Sequence, residues 1–421
     1  MLYERWRQIA REHRHELALW DLAADRRWTF HQLEAATEWS PATPNGVVFP
    51  QGISADFILA VLRGWKAGQV ICPLEPGQTA PEFGRLPPGC VHLKTTSATT
   101  DLPRVIAFTA EQLAADAENI TATMGLRPDW PNLGVISLAH SYGFSNLVTP
   151  LLLHGIPLLL VDSKLPEPVL RAAKAAENIT LPAVPALWRA WQEAEAIPGN
   201  VRLAISAGAP LPLPLEHAVF EASGIKLHNF YGASECGGIA YDASGCPRAD
   251  AACVGAPLRN VRLAVSKEGC LEVRSRAVGE NYWPTPAAEL SGGCYHTSDL
   301  AELQDGLVFL RGRSGDLINV AGRKVSPETI EQALVSHPAV GECLVFGAPT
   351  EEAGRSEIIV ACVALKSSVA ADALKQFLLA KLPAWQVPRK WVMLDSLQTN
   401  QRGKLSRLEW RRRFLAGEVR C

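Results

Sequence analysis

The sequence predicts an α/β protein with a large N-terminal α/β body that includes a β subdomain, and a small C-terminal α+β domain. Three observations predict this class. Residues 46–232 alternate short β-branched runs with helical patterns, which is typical of a sheet covered by helices. After residue 240, short alternating runs separated by Gly-rich turns indicate antiparallel strands. The 421 residues exceed one average domain and suit a large domain plus a smaller one.

The composition is that of an ordinary globular protein. Hydrophobic residues make up 48% and charged residues 20% of the chain, which excludes disorder and a highly charged helical rod. The formal net charge is −2, so the protein has no global field to hold a nucleic-acid backbone or an anionic membrane. Any anionic ligand must therefore be bound by local groups.

The ten cysteines are scattered without a C-x-x-C pair or a metal-ligand spacing. We interpret them as small buried hydrophobes in a reducing compartment. The N-terminal segment carries charges throughout and lacks the apolar region of a signal peptide, and the apolar stretches elsewhere are too short to span a bilayer. We therefore expect a soluble cytoplasmic protein without a membrane span.

The α/β body is predicted from repeated helix and strand patterns. One helix begins after Ser54, a good N-cap, and ends at Gly68 before the strand-like VICPL. The following strand–helix pairs are LGVISLA with FSNLVTPLLLHG, PLLLVD with EPVLRAAKAAENI, RLAISAG with PLEHAVFEASG, and a last strand KLHNFYG. Short turns between them fit a doubly covered sheet.

A compact α+β tail follows the antiparallel runs VRLAVS, GCLEVRS and AELQDGLVFLRG. Ser326 and Pro327 suit the N-cap and first position of a helix, GECLVFGAP and SEIIVACVAL resemble strands, and ADALKQFLLAKL is amphipathic. We place the first domain at 1–313 and the second at 314–421.

A hydroxyl-rich turn, TTSATTDLPR at 95–104, comes directly after the strand-like VHLK. Its hydroxyl and backbone donors suit phosphate oxygens, and Arg104 adds a bidentate charged donor. Taken alone, the stretch is more typical of a Thr-rich surface turn, so both interpretations stay open here.

The stretch NFYGASECGG at 229–238 lies where the last strand of the body ends. Ligands of open α/β sheets bind at the carboxyl ends of the strands, so Tyr231 suits base stacking, Ser234 a phosphate and Glu235 a Mg²⁺ ion. The alternative is a solvated Glu in a Gly-rich turn.

Two further stretches place charges near Gly-rich turns. In YHTSDL and GRSGD, Asp299 suits ribose hydroxyls and Arg313 suits ribose or phosphate, although an ordinary ion pair explains them equally. In NQRGKLSR, Lys404 begins a basic helix, where a solvated lysine is the commoner situation.

Together these stretches resemble the adenylate-forming (AMP-binding) superfamily, which contains acyl-CoA synthetases, carrier-protein adenylation domains and luciferases. The resemblance covers nearly the whole chain, with seven motifs in the family's order. They are TSATTDLPR for TSG(S/T)TGxPK, SLAHSYGF for the aromatic-and-His turn, SAGAPL for the adenine-side strand, YGASE for YGxTE, YHTSDL for Y(R/K)TGDL, GRSGDLINVAGRKVSPETIE for the hinge and following loop, and RGKLSR for GKxxR.

The resemblance implies a role for each matching residue. The loop over the ATP β- and γ-phosphates would contain Thr96, Ser97, Thr99, Thr100 and Arg104. The rest of the nucleotide site would contain Gly208, Tyr231, Gly232, Ser234, Asp299 and Arg313. The remaining assignments are Glu235 for Mg²⁺, Lys404 for catalysis of the first half-reaction, His140 and Tyr142 for the path to the acyl pocket, Gly315 for the hinge of a mobile C-terminal lid, and Gly322 for the coenzyme A tunnel.

The implied activity is ATP-dependent activation of a fatty or aryl carboxylic acid to acyl-AMP, followed by thioester formation with coenzyme A. The cofactors would be ATP, Mg²⁺ and coenzyme A, and the protein would be a monomer or homodimer. Gly232, Gly237 and Gly238 are interpreted as leaving room for a long or planar acyl group. The SLAHSYGF turn carries no Asp for an α-ammonium, which disfavours amino acid substrates.

The phosphate loop departs from the family pattern. Its two usual glycines are replaced by Ala98 and Asp101, and its lysine by Arg104. Ala98 disfavours a positive φ, and Asp101 brings a negative charge near the triphosphate. The altered loop keeps open a degenerate protein that binds acyl ligand or nucleotide without turnover. A separate alternative, which uses the same residues, is transfer of the acyl group to carrier-protein phosphopantetheine.

Overall fold

The structure, a computed structural model, describes residues 1–38, 46–95, 105–350, 357–398 and 405–419. The chain divides into two compact units. The first comprises Met1–Ala264, Glu272–Thr297 and Leu303–Val308, and the second comprises Val265–Leu271, Ser298–Glu302 and Phe309–Cys421. The domain boundary between 313 and 314 stays a prediction. Among the helices in the described ranges, none combines the length and apolar character needed to cross a membrane.

Helices and strands alternate along most of the chain. The helices are α1 (Leu2–Glu12), α2 (Phe30–Glu38), α3 (Ala55–Ala67), α4 (Ala110–Met124), α5 (Ser141–Gly143), α6 (Thr149–His154), α7 (Pro166–Ala173), α8 (Pro185–Glu193), α9 (Leu213–Ser223), α10 (Pro327–Val335), α11 (Ala371–Leu379) and α12 (Arg407–Leu415). Short 3₁₀ turns span Ser314–Asp316 and Ala384–Gln386.

The strands of the first half of the chain are β1 (Leu17–Asp21), β2 (Arg26–Thr29), β3 (Val47–Val48), β4 (Val70–Ile71), β5 (His92–Thr95), β6 (Val105–Phe108), β7 (Asn132–Gly134), β8 (Leu158–Leu160), β9 (Ile179–Ala183), β10 (Val201–Ser206) and β11 (Leu227–Ala233). Those that follow are β12 (Gly237–Tyr241), β13 (Cys253–Pro257), β14 (Arg262–Val265), β15 (Cys270–Arg274), β16 (Asn281–Trp283), β17 (Leu290–Ser291), β18 (Cys294–Gln304), β19 (Leu307–Arg313), β20 (Ile318–Val320), β21 (Arg323–Val325), β22 (Val340–Pro349), β23 (Glu357–Leu365) and β24 (Lys390–Leu394).

The main sheet of the first unit is built on parallel strands. Strands β11, β10, β9, β7, β8 and β1 follow one another in that order, and each neighbouring pair is parallel. Every residue of β8 and β9 is buried, which explains the nearly continuous apolar runs in their sequences. The predicted α/β class is confirmed, and the carboxyl ends of β10 and β11 lie side by side.

Two helices show how local sequence fixes this body. Helix α3 begins after Ser54 and ends at Gly68 in the left-handed conformation, as the sequence predicts. Helix α4 begins with a reciprocal capping box between Thr109 and Gln112. Its buried face carries an acidic residue, Asp116, which is 3% exposed. A buried carboxylate needs donors, and those donors belong to the site described below.

The predicted helix FSNLVTPLLLHG is only partly α-helical. Its first five residues, Phe144–Val148, form a π-helical turn before α6. Pro150 has no N–H to donate to the carbonyl of Asn146, four residues earlier, which interrupts the α-helical pattern. The buried amide of Asn132 donates to that carbonyl instead, at 3.2 Å. Strand β7 is also shorter than the run LGVISLA predicts.

A smaller sheet in the first unit presents the hydroxyl-rich segment. Its strands follow the order β16-β6-β5-β4-β3. Strands β5 and β6 are antiparallel, with Thr95 opposite Val105, so residues 96–104 connect the ends of this pair. The predicted strand before that segment is confirmed.

The second unit has its own sheet and core. Strands β22 and β23 are antiparallel, and β24 is parallel to β23. Helix α10 begins with Ser326 as N-cap and Pro327 as its first residue, as the sequence predicts. One face of the sheet packs with Ile330, Leu334, Leu374 and Leu378 of α10 and α11, and the other packs with Trp410 of α12.

Arg407, the first residue of α12, connects distant segments of the second unit. Its guanidinium forms ion pairs with Asp316 at 2.9 Å, Glu328 at 2.7 Å and Glu331 at 2.7 Å, and donates to the carbonyl of Val345. The side chain is 21% exposed. Because these carboxylates are also partly buried, removing the cation leaves several negative charges without compensation.

We predict that Arg407→Met lowers the free energy of unfolding by about 2–4 kcal/mol, somewhat below the cost for fully buried pairs because the site is partly exposed. Denaturant unfolding measures the change. Arg412→Met is the matched control, since Arg412 is exposed on the same helix, and it should change stability by less than about 0.5 kcal/mol. Equal effects of the two substitutions would contradict the assigned role of Arg407.

Candidate active site

The turn between β11 and β12 places the central side chains of the candidate site. The chain reverses at Ser234–Cys236, where the Cys236 N–H donates to the carbonyl of Ala233. The Ser234 hydroxyl lies 3.0 Å from the hydroxyl of Ser141, at the start of α5. The YGASE and SLAHSYGF motifs, separated by about ninety residues, are thereby brought together.

Glu235 is connected to a third motif through two tyrosines. The Tyr282 hydroxyl donates to Glu235 Oε1 at 2.9 Å, and Tyr282 is itself hydrogen bonded to Tyr295 of the YHTSDL stretch. Burial and the negative charge of Glu235 raise the pKa of Tyr282, which keeps its phenol protonated and able to donate. Tyr282 was not identified from the sequence, because it lies in no motif.

Asp116 holds the second half of the turn. Its carboxylate accepts hydrogen bonds from the Gly238 N–H at 3.0 Å and from the Ser145 hydroxyl at 2.6 Å. Gly237 has φ of 70°, and a Cβ added there would lie 2.0 Å from Asp116 Oδ1. A glycine is therefore required at 237 both for its conformation and for close approach to the carboxylate.

A buried lysine lies close to these acids. Lys94 of β5 is 5% exposed, and among the residues that the structure describes its ammonium has no hydrogen-bond partner. Its Nζ lies 4.4 Å from the centroid of the Phe108 ring. Burial lowers the pKa of Lys94, and the charges of Asp116 and Glu235 act in the opposite direction. Lys94 thus places a buried amine immediately before the hydroxyl-rich segment, and no sequence motif identifies it.

His92 shares the face of β5 with Lys94, since the two are two residues apart on one strand. Its ring lies 4.3 Å from that of Phe144, measured between centroids, and burial lowers its pKa well below the usual value. Neutral His92 therefore adds no second positive charge beside Lys94.

His140 and Tyr142 lie at the start of the helical segment that follows β7. His140 is the N-cap of α5, and its carbonyl accepts from the Phe144 N–H. The Tyr142 hydroxyl points to the carbonyls of Ala183 at 3.4 Å and Ile205 at 3.3 Å, at the ends of β9 and β10. Burial raises the pKa of Tyr142, which acts as a neutral, positioned phenol.

Three residues expected at the nucleotide lie at the carboxyl ends of neighbouring strands. Gly208 follows β10 with φ of 85° and is exposed. Tyr231 and Gly232 belong to β11, where Tyr231 is half-buried and Gly232 is exposed. Because β10 and β11 are adjacent and parallel, these residues occupy one edge of the sheet.

Four of the predicted residues that the structure describes belong to the second unit. Arg313 Nε donates to Asp299 Oδ1 at 2.9 Å, with the arginine side chain 62% exposed and the aspartate 16% exposed. Gly315 lies in the 3₁₀ turn, without a positive φ and with open space around its Cα. Gly322 occupies the tight turn between β20 and β21 with φ of 81°.

Several predicted residues lie outside the described residues, namely Thr96, Ser97, Thr99, Thr100, Arg104 and Lys404. The same holds for Ala98 and Asp101. The role of every predicted site residue stays a prediction.

The interpretation of the three turn glycines as open space is wrong. A Cβ on Gly232 would lie 2.7 Å from the Gly237 carbonyl oxygen, and one on Gly238 would lie 2.4 Å from Leu258 Cδ2. At Gly237 the same space is taken by Asp116. These glycines permit close packing of protein atoms.

Two family models match the chain. The AMP-binding enzyme model matches residues 90–286, and the AMP-binding enzyme C-terminal domain model matches residues 329–404. The first match spans the hydroxyl-rich segment and the 234–238 turn.

Curated relatives are acid–coenzyme A ligases. A probable 2-succinylbenzoate–CoA ligase of Mycobacterium tuberculosis (strain ATCC 25618 / H37Rv) is 30% identical over 353 residues, covering 77% of this chain and 84% of that protein. A feruloyl-CoA synthase of Amycolatopsis sp. is 28% identical over 344 residues, covering 76% of this chain and 69% of that protein.

Among solved structures, the o-succinylbenzoate CoA synthetase of Bacillus subtilis in complex with its acyl-adenylate intermediate has a TM-score of 0.83. The sequences are 21% identical, and the likeness covers 96% of this chain and 97% of that one. This likeness supports the fold.

We predict that Gly237→Ala lowers both the stability and the enzymatic activity of the protein, whereas Gly224→Ala leaves the activity unchanged. The two glycines have nearly the same φ, 70° and 71°, but a Cβ at 224 meets open space. Both substitutions cost about 1–2 kcal/mol for the left-handed backbone. The collision with Asp116 should cost Gly237→Ala about 1–3 kcal/mol more, measured by denaturant unfolding.

Proposed function

This chain belongs to the AMP-binding enzyme family, and we propose that within it the chain is an AMP-forming ligase that joins an aromatic carboxylic acid to coenzyme A. The reaction has two halves. The carboxylate first attacks the α-phosphate of ATP to give an acyl adenylate and pyrophosphate. The coenzyme A thiolate then displaces AMP to give the thioester.

One structural observation carries the proposal: the hydrogen-bonded chain Glu235–Tyr282–Tyr295. It joins the acidic residue of YGASE to the YHTSDL stretch, and Ser234 beside it contacts Ser141. Three motifs that are far apart in the sequence thus converge within the first unit. A protein that had lost the activity would have no use for this combination of an oriented carboxylate and positioned hydroxyls.

The chemistry requires cationic and hydrogen-bonding groups, because two anions must come together in the first half-reaction. Groups aimed at the developing charge supply the main effect, and holding both reactants supplies much of the rest. We assign the phosphate contacts to Thr96, Ser97, Thr99, Thr100 and Arg104, and the reacting carboxylate and bridging oxygen to Lys404. The buried amine of Lys94 directly precedes Thr95 and, when protonated, adds positive potential where that segment begins.

Glu235 is the residue that would hold Mg²⁺, and its surroundings fit that role. Carboxylate oxygens are the ligands that Mg²⁺ prefers, and the ion neutralises phosphate charge when bound. The Tyr282 hydroxyl donates to Glu235 Oε1, which helps to fix the orientation of the carboxylate. We assign Gly208, Tyr231, Gly232, Ser234, Asp299 and Arg313 to the nucleotide, and His140 to the path between acyl pocket and adenylate.

Relatives support an aromatic acid as the substrate. The two relatives described above are a probable 2-succinylbenzoate–CoA ligase and a feruloyl-CoA synthase, and the acids in both names are aromatic carboxylic acids. A fatty acid is the broader alternative within the same reaction. We retain the 1–313 and 314–421 division, with Gly315 as hinge and Gly322 at the coenzyme A tunnel, as part of the proposal.

The cellular setting is also a proposal. Ten cysteines without a paired spacing favour a reducing compartment, so we place the enzyme in the cytoplasm, as a monomer or homodimer. A carrier protein as the second acceptor remains a variant that uses the same residues.

Carboxylate-dependent exchange of pyrophosphate into ATP tests the first half-reaction. We expect exchange with aryl acids, and loss of at least about 100-fold in Lys404→Ala, since one positioned charge is being removed from the transition state. Lys375→Ala, exposed on α11, is the matched control and should retain full exchange.

Absence of exchange across a broad panel of aryl and fatty acids would contradict the proposal and favour a protein that binds without turnover. Where exchange is present, thioester formation is measured with coenzyme A and with a phosphopantetheinylated carrier protein. Product with the carrier protein alone would overturn coenzyme A as acceptor.

We predict that Tyr282→Phe raises the Mg²⁺ concentration needed for half-maximal exchange by about 10-fold, because Glu235 loses the hydrogen bond that orients it. Tyr3→Phe is the matched control. The Tyr3 hydroxyl makes the same kind of bond to Glu38 Oε1, at 2.7 Å, on the exposed side of α1. If wild type and both variants need the same Mg²⁺ concentration for half-maximal exchange, the proposed role of Tyr282 is wrong.

A further inference from the structure

A thiol, an imidazole and a carboxylate converge on one face of two neighbouring strands of the first unit. Cys294 and His296 are two residues apart on β18, and Glu272 lies on the adjacent strand β15. Residues two apart on a strand share a face. One ligand atom from each of the three side chains lies within 4.8 Å of the others.

The backbone beneath these side chains is held firmly. Cys294 is paired with Ser291 across the tight turn Gly292–Gly293, whose glycines have φ of 58° and 73°. The His296 N–H donates to the carbonyl of Glu289 at 2.8 Å. Ligands on rigid strands lose little freedom when they bind an ion.

The two neighbours of the His296 ring each contact a different one of its two nitrogens. Cys294 Sγ lies 3.6 Å from His296 Nε2, and Glu272 Oε1 lies 3.4 Å from His296 Nδ1. At zinc bonds of about 2.0–2.3 Å, tetrahedral ligand atoms are separated by roughly 3.3–3.8 Å. One ion uses one imidazole nitrogen, so the His296 ring must rotate, and its 48% exposure leaves it room to do so.

We propose that Cys294, His296 and Glu272 form a binding site for a Zn²⁺-class transition-metal ion, separate from the Mg²⁺ site at Glu235. Thiolate and imidazole select borderline-soft ions over Mg²⁺, whose preferred ligands are oxygens. Binding releases the thiol proton of Cys294 to the buffer. Three protein ligands leave the fourth tetrahedral position to water.

Arg274 competes only weakly for the Glu272 carboxylate. Arg274 Nη2 lies 3.9 Å from Glu272 Oε2, and its side chain is 61% exposed. That contact uses the other carboxylate oxygen, so Oε1 keeps its position toward His296. An exposed ion pair of this length contributes little and does not compete with a metal bond.

The proposed metal site and Tyr295 of the candidate active site lie on opposite faces of β18. Tyr295 stands between Cys294 and His296 and therefore points to the opposite face of β18, where it is hydrogen bonded to Tyr282. A metal bound to Cys294 and His296 would fix the strand segment that positions Tyr295. The proposal does not depend on the ligase activity, because metal binding is measured without substrates.

Titration of the reduced, full-length protein with Co²⁺ in the absence of nucleotide tests the site. We expect a thiolate-to-cobalt charge-transfer band that saturates at one ion per chain and is displaced by Zn²⁺. Cys294→Ser should abolish the band, and His296→Gln, at an exposed position, should weaken binding at least about 10-fold. Zn²⁺ should also raise the unfolding temperature of the wild type, an effect lost in both variants.

Cys246→Ser is the matched control, since Cys246 is an exposed thiol outside the cluster, and it should bind cobalt like the wild type. Glu272→Gln provides a third variant that leaves both strong ligands in place and should weaken binding by a smaller factor. Absence of a thiolate band in the wild type would overturn the proposal, and so would a band that persists in Cys294→Ser.

Discussion

The Asp116 carboxylate is the constraint on which the candidate active site depends. It is buried on α4, and a buried charge is tolerated only where donors surround it. Two of those donors are the Gly238 N–H and the Ser145 hydroxyl, so α4, the π-helical turn and the start of β12 meet at one point. The conformation of the 234–238 turn, and with it the positions of Ser234 and Glu235, follows from this contact.

The same region carries an electrostatic balance. Asp116 and Glu235 bring two carboxylates close to the position expected for a triphosphate, which by itself would repel the substrate. The Lys94 amine lies near them, where the two carboxylates favour its protonated form and burial opposes it, while burial lowers the pKa of His92 and keeps that ring neutral. A net charge of −2 over the whole chain is therefore compatible with an anionic ligand, because the charges that matter are local.

Sequence patterns predicted the elements of the fold and failed on the contacts between them. The spacing of apolar residues and the capping residues identified α3 and α10, because these two signals depend only on residues close together in the chain. Lys94 was missed because one charge in a short strand resembles an exposed position, and Tyr282 because it belongs to no motif. Gly237 was misinterpreted as open space, since a sequence does not show that Asp116 fills it. The cluster around Cys294 was missed for a related reason: its third member, Glu272, lies on another strand, and a search for ligand spacing along the chain cannot find it.

Arg407 holds three segments of the second unit together. The guanidinium joins α12 to Asp316, the residue after the proposed hinge Gly315, and to Glu328 and Glu331 of α10. Helices α10 and α12 are thereby held to the segment that carries the proposed hinge. If the unit rotates about Gly315, as we propose, these two helices move together, because each carries a partner of the same ion-pair cluster.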